Sequence, residues 1–206
     1  MIHVDSKPAD LGESGWNAIL PAREANPALE HDTESDYLVV GAGFAGLSAA
    51  RRISQLDPQA SIVILEAQQV GTGPAGRNSG FMIDLPHALA TGSYAGENSK
   101  DLRNIRMNRA AIAFAADCAR DFGYPGEAFN PSGKINAAAD SHGLRHNTSY
   151  ARHLEVLGEP FELLGAAAMR AICGSDYYRS GLKTPGTAIL QPALYIRSLA
   201  DAMVKQ

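Results

Sequence analysis

The sequence predicts an α/β fold with a parallel β-sheet, and three neighbouring features support this prediction. Two continuous apolar runs, Leu38–Val40 and Ile62–Leu65, lie on either side of a segment with a helical pattern. Continuous apolar runs are typical of strands in a parallel sheet that is covered on both faces. The first run leads directly into a glycine-rich turn, Gly41–Gly46, and an acidic residue follows the second run. Together these features indicate a Rossmann-like βαβ unit.

The turn has the GxGxxG pattern, in which each glycine has a physical role. Gly41 permits a tight turn after the strand, and Gly43 has no Cβ, so a pyrophosphate can approach the backbone. Gly46 allows the helix to pack closely against the strands. The N–H groups and the dipole at the helix N-terminus favour an anion. Phe44 and Ala45 lie between these glycines and are included among the candidate cofactor-binding residues.

The acid after the second strand is Glu66, which lies 20 residues after Gly46. At this position an acidic side chain accepts hydrogen bonds from the adenosine ribose and repels a 2′-phosphate. The pattern therefore predicts an adenine dinucleotide other than NADP, with Ala67 next to the ribose site. The alternative is a glycine-rich turn that holds no ligand.

Composition excludes several classes of protein. The chain has 206 residues, 45% of them hydrophobic and 19% charged, as expected for one globular domain or two small ones. The net charge of −4 gives no basis for a nucleic-acid or membrane-surface partner. The N-terminus lacks a signal-peptide pattern and no apolar run could cross a bilayer, so a cytoplasmic location is expected. Cys118 and Cys173 have no metal-ligand spacing and are expected to be buried in a reducing compartment.

No metal site is predicted, because four histidines show no ligand spacing with acids or cysteines: His87, His142, His146 and His153. The segment Asp84–His87 either approaches a substrate or forms a plain loop. Tyr177 and Tyr178 either line a pocket or pack without a function. Arg109 lies on a helical face with other arginines and is expected to be solvated rather than catalytic.

Further elements follow from periodicity and from glycine and proline positions. Residues 1–35 are polar and form either a surface arm or a partly disordered leader. The βαβ unit spans 36–67, with its helix ending near Leu56–Pro58. The remaining predictions are helices at 100–122, at 142–157, at Glu162–Ala171 and from Pro192, a strand at Lys134–Ala139, and loops and short strands at 176–190.

The parallel sheet is expected to be incomplete. Two parallel strands alone are marginal, and a dinucleotide-binding sheet needs further strands returned by right-handed crossovers. Either the domain is incomplete, or short strands after residue 130 complete the sheet in an unusual order.

Several stretches together resemble the FAD-dependent oxidoreductases of the D-amino-acid oxidase and glycine oxidase type. They are Asp36–Ala50, Leu65–Ala67, Val70-Gly71 and Gly76–Gly80. The similarity is strongest to the branch that includes gamma-glutamylputrescine oxidoreductase, where a turn commonly reads ASGRNGG. Here that turn is Pro74–Gly80, and Ala75 replaces its serine, so a hydroxyl contact would be missing. Gln191–Ala200 resembles the segment that precedes the third strand of the FAD domain, and the resemblance covers 36–206.

The resemblance implies a site for FAD. It places Gly41, Gly43 and Gly46 at the pyrophosphate and Glu66 at the ribose. It places Arg77, Asn78, Ser79 and Gly80 along the ribityl chain and the isoalloxazine ring; we call Gly71–Gly80 the flavin loop. Arg77 is the candidate for a positive charge near the flavin N1–C2 region, and its alternative role is to anchor the loop.

The implied reaction removes a hydride from a carbon that bears an amine, and water hydrolyses the resulting imine. The substrate would be a small amine or amino acid; no catalytic residue is assigned, and the electron acceptor stays open. The implied divisions are an arm (1–35), an FAD-binding unit with the flavin loop (36–90), an inserted α+β segment from the substrate domain (91–190) and a helix leading back (191–206). Two alternatives remain: an NAD-dependent dehydrogenase, and an inactive fragment or binding module that needs a missing C-terminal half.

Overall fold

The computed structural model describes residues 12–86 and 98–205. The elements, in chain order, are α1 (Gly15–Ala18), β1 (Tyr37–Val40), α2 (Phe44–Leu56), β2 (Ile62–Leu65), β3 (Phe81–Met82), α3 (Asn98–Asp121), β4 (Phe129–Asn130), β5 (Lys134–Ala138), α4 (Ser141–Leu157), β6 (Glu162–Gly165), α5 (Ala166–Cys173), β7 (Ser180–Thr184), β8 (Ala188–Leu190) and α6 (Pro192–Val204). The chain forms two compact units: unit 1 runs to Ser79 and resumes at Gln191, and unit 2 comprises Gly80–Leu190.

Unit 1 contains the predicted βαβ unit. Strands β1 and β2 pair in parallel, from Tyr37 opposite Ile62 to Val40 opposite Leu65. Helix α2 packs on both strands, and its Leu47 is 1% exposed. The helix ends at Leu56, two residues before a proline, as its sequence predicts.

Strand β1 is more exposed than its sequence predicts. Leu38 is 59% exposed and Val40 80% exposed, although parallel strands of this composition are normally covered on both faces. Within residues 12–86 and 98–205, β1 pairs only with β2. The strands after residue 130 pair elsewhere, so the proposal that they complete this sheet is wrong.

Helix α6 closes unit 1 and begins at the predicted Pro192. The side chain of Gln191 caps its N-terminus by accepting a hydrogen bond from the Leu194 amide at 2.8 Å. Ile196 and Leu199 are fully buried, and the helix packs against α1 and α2. Its apolar stripe therefore faces the core of unit 1, as predicted.

Unit 2 is an α+β unit with two antiparallel sheets, in the strand orders β3-β8-β4 and β5-β7-β6. Its core includes Leu85 from the chain after β3, Ile105 of α3, Tyr150 and Leu154 of α4, and Leu182 of β7. The predicted helices at 100–122 and 142–157 and the strand near residue 134 are all present.

Two sequence-based expectations in unit 2 need correction. The helix expected over Glu162–Ala171 is present only from Ala166, as α5, because the first four residues of the segment form β6, which pairs with β7. Long-range pairing with a strand almost 20 residues further along outweighs the local helical pattern. Cys173, expected to be buried, is exposed at the end of α5, whereas Cys118 is buried as expected. His87 lies outside the described residues.

Candidate cofactor site

The first glycine turn of unit 1 has a geometry that requires two of its glycines. Gly41 has a φ of 99°, in the left-handed region, and its N–H donates to Leu65 O at 2.7 Å. A Cβ on Gly46 would lie 1.9 Å from Gly41 O, so no larger residue fits between helix and strand. These positions fix the turn that joins β1 to α2.

The remaining glycine of the motif, Gly43, is not required by the packing of the protein itself. A Cβ at this position would have Ala75 Cβ as its nearest neighbour, 3.8 Å away. Gly43 is also the N-cap of α2 and supplies no side chain to cap the helix. An anion at this helix end would therefore meet an open backbone at the positive end of the dipole. In the first turn of α2, the ring centroid of Phe44 lies 6.1 Å from that of Tyr195.

The structure brings the acid after β2 into direct contact with this turn. The Ala42 amide donates to Glu66 Oε2 at 2.8 Å, and the Gln68 amide donates to Glu66 Oε1 at 3.2 Å. Glu66 and Ala67 are exposed, so the carboxylate retains room to accept further bonds. The predicted ribose ligand and the predicted pyrophosphate loop thus lie side by side.

The flavin loop repeats the close packing of the first turn. Gly71 has a φ of 88°, and a Cβ on Gly76 would lie 1.9 Å from Gly71 O. Between them, Pro74–Gly76 form a single 3₁₀ turn with the proline at its start. The second turn therefore has a backbone shape that tolerates only glycine at its end.

The polar side chains of the flavin loop bind backbone carbonyls of the loop and of the N-terminal arm. Arg77 Nε donates to Thr72 O at 2.6 Å, and its Nη2 donates to Gly12 O. Asn78 Nδ2 donates to Ala75 O at 2.8 Å. The observed bonds fit the loop-anchoring role of Arg77, and a role of Arg77, Asn78 and Ser79 at the flavin stays a prediction. Gly80, with a φ of 79°, begins unit 2.

The N-terminal arm contributes three side chains that sequence reasoning did not assign to the site. Ser14 Oγ donates to Gly76 O at 3.0 Å, and Trp16 Nε1 donates to Asn78 O at 2.8 Å. Asn17 Nδ2 donates to Gly71 O at 2.8 Å. A serine at the N-cap of α1 and the single tryptophan of a polar segment are the signals that could have indicated this.

Two arginines join the arm to α6. Arg23 pairs with Asp201, and Arg197 Nη1 donates to Pro21 O at 3.0 Å. Burial lowers the pKa of the Arg197 guanidinium, and the charge of Arg23 lowers it further. The part of the arm between Gly12 and Arg23 is therefore held by bonds to the flavin loop and to α6.

A cleft of about 1260 Å³ lies along β2 in unit 1. It is lined by the arm segment 25–29, by β2 with the residues that follow it, including Glu66, Gln68 and Gln69, and by the end of α6. Most of the residues that line the cleft are apolar, and Glu66, the predicted ribose ligand, is among the polar ones.

In unit 2, Asp84, from the segment expected either to approach a substrate or to form a plain loop, is buried in an ion-pair network. Asp84 is 0% exposed and accepts bonds from Arg109 at 3.1 and 3.2 Å and from Thr187 Oγ1 at 3.4 Å. A Cβ on Gly186 would lie 1.9 Å from its Oδ2. Arg109 also binds Glu159, and this bond raises the pKa of the guanidinium. Arg109 is exposed, as expected, and its guanidinium also pairs with the buried Asp84.

The other singled-out residues occupy packing or surface positions. His153 Nε2 lies 2.9 Å from Asp101 Oδ2, and the ring of His146 stacks on Tyr150. Tyr177 is 68% exposed and meets Tyr178 edge to face. In residues 12–86 and 98–205, no three His, Cys, Asp or Glu side chains are grouped to hold a metal, and no helix is long and apolar enough to cross a membrane. The cytoplasmic location stays a prediction.

Comparison with known proteins gives a family match over most of the chain. The sequence profile of the family described as FAD dependent oxidoreductase, DAO, matches residues 36–206. Gamma-glutamylputrescine oxidoreductase from Escherichia coli is 27% identical over 190 residues, which cover 85% of this chain and 41% of that protein. The chain spans 41% to 45% of the length of the curated relatives it matches.

Two solved structures are similar in fold at low sequence identity. L-Amino acid deaminase from Proteus myxofaciens matches with a TM-score of 0.68 at 14% identity, covering 94% of this chain and 40% of that chain. Glycine oxidase from Bacillus cereus matches with a TM-score of 0.62 at 16% identity, covering 83% of this chain and 44% of that chain. At these identities the likeness shows a common fold.

Proposed function

The chain belongs to the FAD-dependent oxidoreductase family, and on this premise we propose that unit 1 binds FAD in an enzyme that oxidises a C–N bond of a small amine or amino acid. FAD is the cofactor of the family, so the cofactor prediction is confirmed and the NAD-dependent alternative is not retained. The proposal concerns which residues hold FAD and what the complete enzyme does.

One observation carries the proposal: Glu66 contacts the Ala42 amide in the glycine turn at the start of α2. A pyrophosphate over Gly43 would meet backbone N–H groups at a helix start that has no side-chain cap. The adjacent ribose would then lie within reach of the Glu66 carboxylate, which remains exposed. The residues present therefore fit the adenosine and the pyrophosphate of FAD.

The flavin loop would hold the other half of the cofactor. Ala75 lies beside Gly43, so the middle of the flavin loop lies next to the proposed pyrophosphate site. The guanidinium of Arg77, fixed by Thr72 O, makes the loop electropositive and favours a ligand that gains negative charge. Bound FAD would supply the acceptor for two electrons, and the protein would orient the substrate and exclude water.

Substrate class comes from the relatives. The similar Escherichia coli protein is named for gamma-glutamylputrescine, and the two solved structures are named for amino acid deamination and glycine oxidation. All three substrates carry an amine, and we assign this class to the complete enzyme. We further propose that residues 91–190 form part of the substrate domain.

We also propose that a further segment completes the sheet of unit 1 in the active enzyme. Leu38 and Val40 of β1 are exposed apolar residues, and the cleft beside β2 is mostly lined by apolar side chains. The relatives are more than twice as long as the region matched here. Additional parallel strands beside β1 and β2 would bury these surfaces. We therefore expect turnover to require the additional strands, whereas FAD binding should not require them.

The test measures the FAD affinity of the purified chain and of a Glu66→Gln variant, with quenching of flavin fluorescence as the signal. The variant keeps the shape of the side chain and loses its charge, so FAD affinity should fall about tenfold. Glu155→Gln, on the exposed face of α4, is the matched control and should bind FAD as the wild type does. Equal affinity of the wild type and Glu66→Gln would contradict the assigned ribose site.

A further inference from the structure

The N-terminal arm binds the flavin loop through side-chain donors that point at loop carbonyls. Trp16 Nε1 donates to Asn78 O at 2.8 Å, and Ser14 Oγ donates to Gly76 O at 3.0 Å. In the reverse direction, Arg77 of the loop donates to Gly12 O of the arm. Arm and loop therefore hold each other through bonds between residues more than 60 positions apart.

The arm segment that makes these bonds is itself fixed. Asn17, next to Trp16, is 3% exposed and donates to Gly71 O at the start of the flavin loop. Gln191 Nε2 donates to Trp16 O at 2.9 Å from the N-cap of α6. Trp16 is thus anchored on both sides, and its indole N–H has a defined position relative to the loop.

Fixing a carbonyl also fixes the amide on the other side of the same peptide plane. All described peptide bonds are trans, so the N–H of Ser79 points away from the side on which Asn78 O meets Trp16. The arm therefore occupies one face of the loop and directs a backbone donor to the opposite face.

We infer that Trp16 is a positioning residue for the cofactor, which holds the Asn78–Ser79 peptide so that the Ser79 N–H faces the flavin half of FAD. This inference rests on the proposed function and adds to it a role for the arm. Trp16 does not touch the cofactor in this arrangement; it acts through the loop backbone. Residues 12–17 of the arm are consequently part of the FAD site.

The experiment compares two ligands on one variant. Trp16→Phe keeps an aromatic ring and removes the N–H donor, and the ligands are FAD and ADP, which lacks the flavin half. FAD affinity should fall about tenfold, whereas ADP affinity should stay within twofold of the wild type. Ser14→Ala, which frees Gly76 O, should shift FAD affinity in the same direction. Thr33→Val is the control, because it removes an arm hydroxyl bonded only to His31 O.

The outcomes separate the inference from the proposed function. Loss of FAD affinity with unchanged ADP affinity, together with faster amide hydrogen exchange of Ser79, supports the inference. Equal weakening of both ligands overturns it, because the arm would then only stabilise the unit as a whole. Unchanged FAD affinity in both arm variants also overturns it and leaves the proposed function standing. A wild-type chain that binds neither FAD nor ADP overturns both.

Discussion

The two glycines Gly43 and Gly46 belong to one motif, yet the structure assigns them different roles. A Cβ on Gly46 would lie 1.9 Å from Gly41 O, about 1.5 Å short of ordinary van der Waals contact. A Cβ on Gly43 would have no heavy atom nearer than Ala75 Cβ at 3.8 Å. Gly46→Ala should therefore damage the fold, and Gly43→Ala should damage only the binding of a ligand.

The expected magnitudes follow from these contacts. The neighbour of Gly46 is backbone and cannot rotate away, so Gly46→Ala should cost about 3 kcal/mol, the upper end for overpacking, and lower Tm by about 10–20 °C. Gly43→Ala replaces a fair N-cap by a poor one and should cost about 0.5–1 kcal/mol. Its Cβ would displace a pyrophosphate from the backbone amides, so FAD affinity should fall about 10- to 100-fold.

The assays are thermal unfolding by circular dichroism and FAD titration by fluorescence quenching, applied to both variants. A Gly46→Ala variant as stable as the wild type would refute the close approach of α2 to β1. A Gly43→Ala variant that binds FAD with wild-type affinity would refute the placement of the pyrophosphate over this turn.

Three further predictions concern stability. Leu38→Lys should change the free energy of unfolding of the isolated chain by less than about 0.5 kcal/mol in urea titrations, because this side chain is 59% exposed. Arg109→Met should cost about 2 kcal/mol, a figure discounted for its 43% exposed side chain, because it leaves the buried Asp84 without its cation. Hydrogen bonds from the Ser61 amide and hydroxyl lower the pKa of Asp36, so the stability this carboxylate contributes is present above about pH 4 and is lost as pH falls through its folded-state pKa. Asp36→Asn should therefore lose less stability than the wild type on acidification, as measured by Tm against pH.

Each of these has a control or a contradicting result. The control for Leu38→Lys is Leu47→Ala, at a site that is 1% exposed. It should lower the free energy of unfolding by about 2–5 kcal/mol. Arg106→Met, on the exposed side of α3, should change stability by less than about 0.5 kcal/mol. An Arg106→Met loss equal to that of Arg109→Met would contradict the bracing of Asp84. Parallel Tm curves for Asp36→Asn and the wild type would contradict the shift at Asp36.

Local sequence predicted the βαβ unit well because each signal acts over short distances. The apolar runs, the glycine turn and the proline after α2 set their own backbone, and the observed bounds agree with them. The same holds for the cap of α6, where Gln191 and Pro192 are adjacent in sequence. Glu66 could be placed beside the turn because parallel pairing of β1 and β2 brings both strand ends to one edge.

What the sequence missed depends on partners far along the chain. The segment Glu162–Gly165 lies between two helices, but it pairs with β7, and that pairing decides its structure. Arg109 is exposed as its pattern predicts, but its ion pair with Asp84, 25 positions away in sequence, has no local signal. The hydrogen bond from Trp16 to Asn78 O joins residues 62 positions apart, and no local sequence pattern predicts it. The exposure of β1 similarly follows from which strands are present to cover it.

The most direct test of the central claim is amide hydrogen exchange of the chain with and without FAD. The claim is that the turn Gly41–Gly46 and the flavin loop Gly71–Gly80 hold the two halves of one cofactor. FAD should slow exchange in both segments, and ADP should slow it only in the first. Protection confined to the first segment with FAD, or protection in neither segment, would contradict the claim.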